Sequence, residues 1–358
     1  MAAHRGRIPD IAGIVARMTS SPARALTLAV AGLLACVACS SDGVVTPSPT
    51  PAAAALSEDG ASAEASVCED DAAQSFEHPD WPLAGGGDAE FVPIVMTSIV
   101  TVGPTRFLFG LSDAGLEPLG SPEVEAAIDF YALERDPDDP VASIDAAYLD
   151  TGLGHGLYRA AVDFDCVGEW GAEVSATFAD GRTASQRMRF EVHPEGPTPA
   201  IGEAAPRSDS PTAASTEELR LISTDAEPYP AAYEQTVGEV VSSGRPSLVF
   251  FATPAFCQTG FCGPTVVLVT SVATDYADDI GFVMVEPYEL HMTDNGLQPL
   301  LDDDGFLQPV QAAIDYGIPV EPYLFLIDAQ GDVFARFEGV VGADELRAAI
   351  EDVLADAI

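Results

Sequence analysis

Cys257 and Cys262 are two thiols with four residues between them. Two thiols at that spacing can exchange with another disulfide, share a soft metal ion, or close a small structural loop. Geometry restricts how they meet. A disulfide needs Cα atoms about 4.4–6.8 Å apart. Residues five apart in a straight helix rise about 7.5 Å and point to different sides. The pair can therefore bridge only if Cys257 lies in a loop and Cys262 near the start of a helix. The residues allow this: Gly260 lets the loop fold back, and Pro264 suits a first helical position. Cys262 then stands at a helix N-terminus, where the positive end of the helix dipole favours a thiolate.

A pair of this kind has to be held by a strand before it and a helix after it. Residues 217–358 supply both. Tyr233 to Ser242 can form a helix. Ser247 to Ala252 is an apolar run fit for a buried central strand. Pro264 to Tyr276 reads as helix, Ile280 to Glu286 as strand and Phe306 to Tyr316 as helix. Tyr323 to Ile327 and Val333 to Glu338 form a hairpin across a turn ending at Gly331. Ala343 to Ala357 is a closing helix with Leu346, Ile350 and Leu354 on one face. The order β-α-β-α-β-β-α is that of an α/β fold with its cysteines at the end of the first strand.

The segments FFATPAFCQTGFCGP (250–264) and VEPYLFLIDAQGDVFARFEG (320–339) resemble the thioredoxin-like superfamily. They are similar to a group of bacterial secreted thioredoxin-like lipoproteins that carry ATPxFCxTxxCGP behind an immunoglobulin-like module. The resemblance spans about 217–358. It implies thiol–disulfide oxidoreductase chemistry at Cys257 and Cys262, and a cis-proline facing the dithiol at Pro322. It leaves the nucleophile open: counting from the strand end favours Cys257, while matching Cys-Gly-Pro favours Cys262, with Thr265 in place of a second cysteine. Three departures stand out. Four residues rather than two separate the cysteines. Phe250 and Phe251 stand where the family places a buried acid, so that strand offers no carboxylate for proton transfer. Phe256 replaces the tryptophan that usually precedes the first cysteine. Exchange itself requires only a thiolate, a disulfide and access.

Upstream, residues 90–193 hold seven short apolar runs split by turn residues. Tyr158, Ala160, Val162 and Phe164 alternate with Arg159, Ala161 and Asp163, the period of a half-buried antiparallel strand. Seven such runs suggest an immunoglobulin-like sandwich, with Trp170 as a core anchor. The chain thus reads as multidomain: an all-β Ig-like sandwich followed by an α/β thioredoxin-like domain. The Pro-rich stretch 194–216 marks the linker between them.

The N-terminal residues 1–36 read as a lipoprotein signal peptide. Arg5, Arg7, Arg17 and Arg24 precede an apolar run too short to span a bilayer but suited to a signal segment; Met18 can serve as an alternative start. The run ends Leu33-Leu34-Ala35-Cys36, which resembles a bacterial lipobox and makes Cys36 the lipidation site in preference to Cys39. Two acyl chains on it would anchor the chain stably. Residues 37–89, rich in Ala, Ser, Pro and acid, read as a disordered tether. The implied address is extracytoplasmic, lipid-anchored to the cell membrane. In that compartment Cys68 and Cys166 are expected to pair as a structural disulfide. Cys39 is left over: free, acylated in place of Cys36, or bridged between molecules.

Charge narrows the partners. There are 57 acidic residues against 15 basic ones, all of them Arg, for a net charge of -42. Such a chain repels nucleic acid and anionic headgroups; the thioredoxin-like resemblance implies protein or small-molecule thiols and protein disulfides as partners, and the lipobox implies the lipid anchor as the membrane contact. No cofactor is expected: the chain has no phosphate or dinucleotide loop, and GLGHG at 152–156 is a turn lacking the Lys-Ser/Thr of a P-loop. Asp302-Asp303-Asp304-Gly305 lacks calcium-site spacing. Three alternatives to the oxidoreductase compete. Sco-type copper chaperones combine two cysteines with a distant histidine, here His291, beside Met292. Thr259-Gly-Phe-Cys262 matches the core of a thiol-peroxidase motif. A binding lipoprotein would keep the Cys257–Cys262 bridge as a plain staple.

Overall fold

The computed structural model describes residues 66–68, 80–83 and 89–357. The signal segment, Cys36 and Cys39 lie outside the described residues. The chain is mostly β, with several sheets and few helices, and no described helix is long and apolar enough to cross a membrane.

The apolar runs of 90–193 become eight strands, because the first run splits in two. They are β1 (Val92–Val95), β2 (Val100–Thr101), β3 (Gly103–Ser112), β4 (Glu125–Ala132), β5 (Ala142–Asp150), β6 (Gly156–Phe164), β7 (Gly168–Thr177) and β8 (Thr183–His193). The sheet order is β1-β3-β6-β5-β4-β7-β8-β2. β5 makes the turn between its two halves: Ala142–Ala146 pairs with β4, and Ala147–Asp150 pairs with β6. The sheet closes on one core, since β3 and β4 are not paired yet Phe107 and Phe130 meet edge to face at 5.1 Å. Alternation on β6 buries Tyr158, Ala160, Val162 and Phe164 as the period-two pattern requires. Trp170 is fully buried, its ring 4.9 Å from that of Phe164 and its Nε1 donating to Cys166 O.

Part of the segment expected as a tether packs on this sheet. Val67 bridges Val167, Cys68 is disulfide-bonded to Cys166, and Trp81 is buried against Tyr131 under the Arg187 guanidinium. Trp81 and Cys68 supply the apolar surface that makes docking favourable, a signal that the surrounding Ala, Gly and acidic residues mask.

Beyond residue 193 the linker is not a free connector. Gly202 and Ala205 pair with Val333 and Gly331, and Ser208 Oγ donates to Asp315 at 2.6 Å, so the strap runs along the outer sheet edge. It leads into α1 (Thr216–Ile222), capped by Ser215. A 3-10 turn at Pro230–Tyr233 and α2 (Val237–Val241) replace the single helix read from 233–242, because Thr236 and Glu239 form a capping box that starts a new helix. Then follow β9 (Ser247–Phe251), α3 (Cys262–Asp275), β10 (Gly281–Val285), the hairpin β11 (Leu290–Thr293) and β12 (Gly296–Pro299), α4 (Gln311–Asp315), β13 (Tyr323–Ile327), β14 (Val333–Glu338) and α5 (Ala343–Asp356). Four of the strands form a sheet in the order β10-β9-β13-β14. The hairpin was not read from the sequence. After it, Leu307 bridges Leu301 and Pro309 bridges Tyr288, so the chain is extended up to residue 310 and α4 is shorter than expected.

The eight-stranded sheet and the last helix are latched by a largely buried ion pair. Arg106 on β3 reaches Glu345 in the first turn of α5 at 2.7 Å and also donates to Glu338 O and Val340 O; Arg159 on β6 joins the same carboxylate at 3.2 Å. Burial opposes ionisation of Glu345, but the hydrogen bonds and charge of Arg106, with the charge of Arg159, hold its pKa below the usual carboxylate range. Arg106→Ala removes both of its hydrogen bonds to Glu345 and leaves Arg159 as the remaining cationic partner, so it should lower unfolding stability by about 2 kcal/mol. Urea unfolding checks this, and a change under 1 kcal/mol, roughly the value of an exposed pair, would contradict it.

Candidate functional site

β9 is buried at every position and central, parallel to β10 and antiparallel to β13. Phe251 pairs with Val285 on one side and Tyr323 on the other. Residues just beyond these positions therefore gather at one end of the sheet: Ala252 after β9, Glu286 after β10 and Pro322 before β13. Ala252 N donates to Val285 O, and Pro322 O accepts from Gly339 N. The Glu321–Pro322 peptide is cis. Period-two alternation puts Leu248, Phe250, Ala252, Met284, Leu324 and Leu326 on the face that packs against α3 and Cys262. Glu286 and Pro322 continue that face.

The loop from Ala252 to Phe261 leaves this sheet end and enters α3. Cys257 and Cys262 are joined by a disulfide, with Cα atoms 5.9 Å apart. Cys257 lies in the loop and Cys262 is the first residue of α3, the placement that bridging requires. The two sulfurs face different environments. Cys262 is fully buried in the apolar cluster, whereas Cys257 is half-buried at the rim. Cys257 is held by its N–H to Thr253 O at 3.1 Å and by Gly260 N donating to its own carbonyl at 3.3 Å. Gly260 takes the left-handed φ of 76° that lets the turn close. The amide of Cys262, at the open end of α3, donates to Cys257 Sγ at 3.3 Å. The helix terminus thus favours negative charge on Cys257, not only on the cysteine that belongs to the helix.

A residue that sequence reading passed over completes the site. The strand bearing Phe250 and Phe251 has no acid, but Glu286, just after the neighbouring strand β10, is buried. Its carboxylate accepts from Thr224 N at 2.6 Å and from the Thr224 hydroxyl, which in turn accepts from Ala255 N in the disulfide loop. Burial pushes the Glu286 pKa up to about 7, opposed by hydrogen bonds from Thr224 and the nearby Thr253 hydroxyl. Thr253 lies near enough to favour the anion, yet neither Thr253 Oγ1 nor Glu286 Oε2 reaches hydrogen-bond geometry. The signal in the sequence was a carboxylate directly after five apolar strand residues and before a proline.

The other expected residues fall elsewhere. His291 sits on β11 opposite Gln298 and is exposed with Met292 beside it. Among the described residues no group of three His, Cys, Asp or Glu could hold a metal ion. The Thr259 hydroxyl lies 3.3 Å from Cys257 Sγ, so its sulfur partner is Cys257 and not the Cys262 of the Thr-x-x-Cys motif.

No family model matches the chain. No curated protein matches it. Among solved structures, a thioredoxin-like superfamily protein is similar at 19% identity, covering 43% of this chain and 97% of its own, with a TM-score of 0.29. A thio-disulfide isomerase from Thermus thermophilus is similar at 20% identity, over 42% of this chain and 95% of that one, with a TM-score of 0.23. The PmoD soluble domain from a Methylocystis species is similar at 15% identity, over 31% of this chain and 97% of its own, with a TM-score of 0.21.

Proposed function

We propose that this chain is an extracytoplasmic thiol–disulfide oxidoreductase, lipid-anchored through Cys36. In this reading an Ig-like sandwich over 90–193 precedes a thioredoxin-like domain over 217–358. The observation that carries it is the asymmetry of one disulfide, in which Cys257 is reachable at the rim and Cys262 is sealed in the core. A client thiolate attacks Cys257 Sγ; the bond to Cys262 breaks, its electron pair leaves on Cys262, and a client–Cys257 disulfide forms. A second client thiolate then attacks the client sulfur of this mixed disulfide, and Cys257 departs with the electron pair. Two electrons pass from the client dithiol to the protein, and the two protons it loses end on Cys257 and Cys262. The reverse reaction uses the same atoms. Pro322, at the same sheet end, shapes the edge along which a client chain lies. Insulin reduction and refolding of a scrambled disulfide protein test the proposal; no turnover in either direction would overturn it.

Cys262 is sealed from water, so its proton has to come from within the protein. Glu286, on the same face of the sheet and titrating near 7, is the group we assign to store it. The pH window follows from linkage. Glu286 has a higher pKa folded than unfolded, so its contribution is fully present below the unfolded value of 4.5 and is lost as pH rises through about 7. Against Glu286→Gln, the wild type should lose about 3 kcal/mol of relative stability between pH 4.5 and 8. Urea unfolding of both proteins across that range measures it, and parallel pH curves would remove Glu286 from the proposal.

A further inference from the structure

The sandwich reaches the disulfide loop, and it does so with the GLGHG turn at 152–156. Gly152, with φ of 73°, approaches the first turn of α3 so closely that a Cβ there would fall 2.9 Å from Pro264 Cβ. Leu153 lies over Gly260, its Cδ1 3.7 Å from where a Cβ on that glycine would stand. Leu157 on β6 is buried together with Phe261 and Val340, with Met96 packed against them. Gly260, Phe261 and Pro264 thus all rest on one sandwich segment, and Cys262 lies between them.

We infer that the 151–157 segment is a clamp that sets the reactivity of the Cys257–Cys262 pair, making the sandwich a working part of the redox site. Cys262 is fixed by α3, but Cys257 is held by turn hydrogen bonds, the Cys262 amide and partial packing, across a four-residue loop containing a glycine. Once the bridge is reduced, covalent closure is gone. What then keeps the two sulfurs within reach is the seat of Gly260 and Phe261 on Leu153 and Leu157. The proximity of two thiols fixes how strongly they favour the disulfide over exchange with an external thiol. Leu153 and Leu157 are positioning residues, acting on the sulfurs through Gly260 and Phe261.

The inference rests on Cys257 and Cys262 being an exchanging pair, and its test separates the two claims. The equilibrium constant for forming the Cys257–Cys262 disulfide would be measured in glutathione or dithiothreitol redox buffers. The four proteins are wild type, Leu153→Ala, Leu157→Ala and Val141→Ala; Val141 lies just before the opposite end of β5. Leu153 is 45% exposed, so its truncation leaves the fold intact. Leu157→Ala should lower the constant about five- to ten-fold and Leu153→Ala about three-fold, with Val141→Ala unchanged. Iodoacetamide should also alkylate reduced Cys257 faster in both clamp variants. Equal constants and equal alkylation rates in Leu153→Ala and wild type overturn the clamp, even if wild type reduces insulin. Altered constants without insulin turnover in wild type leave the clamp standing and overturn the oxidoreductase.

Discussion

Cys257→Ser should reduce thiol–disulfide exchange with a protein substrate by on the order of a hundred-fold or more, while Cys262→Ser should accumulate the chain as a mixed disulfide. The two substitutions differ by one oxygen-for-sulfur exchange each, so the contrast comes from where the sulfurs sit. Cys257 is the half-buried sulfur at the rim, and it accepts the Cys262 amide at the open end of α3. Without it no client sulfur can be engaged. Cys262 is fully buried, so it can resolve a mixed disulfide but cannot begin one. Trapping with Cys262→Ser, read by mass spectrometry of the adduct, separates the two roles. If Cys262→Ser loses activity without an adduct and Cys257→Ser retains a reactive thiol, the roles are reversed. If neither variant changes activity, the bridge is a staple.

The second large effect concerns the other disulfide. Cys68 and Cys166 are joined across a sequence separation of 98 residues, and both are nearly inaccessible. Closing a loop of that length removes entropy from the unfolded chain equivalent to about 4–5 kcal/mol. Cys68 N also donates to Val167 O, and Val167 N to Ser66 O, so the bridge fixes a short parallel pairing just before β7. The double variant Cys68→Ala/Cys166→Ala should therefore unfold at a temperature lower by roughly 10 °C. Calorimetry measures this, and a shift under about 2 °C would mean that Trp81 and the bridge at Val67 hold the segment unaided. Exchange at Cys257 should survive at temperatures where the variant remains folded, because Cys68 and Cys166 belong to one core cluster and Cys257 and Cys262 to another.

The fold was legible wherever local pattern coincides with burial. The runs Tyr323–Ile327 and Val333–Glu338 became β13 and β14 at the expected residues, since a buried strand needs a continuous apolar run and a turn residue such as Gly331 ends it. The alternation on β6 was legible for the same reason. Pattern failed where the controlling contact is distant in sequence. Residues 287–310 were read as a loop and a helix, but they pair among themselves through Leu300 with Glu289 and Gln308 with Leu300, contacts with no periodic signature. The strap at 194–216 looked like a spacer because its partners, Val333 and Gly331, lie more than a hundred residues away.

At the site, the residues themselves determined the two thiols, their spacing, and the requirement that one lie in a loop and the other at a helix start. Covalent geometry forces that much without any knowledge of the neighbours. Tertiary structure alone decided which sulfur meets solvent, that the buried acid follows β10 instead of lying on β9, and that Leu153 and Leu157 of the sandwich seat the loop. Exposure, proton affinity and clamping arise from groups brought together by the sheet register and by the latch at Arg106 and Glu345. None of those pairings leaves a trace in the spacing of Cys257 and Cys262.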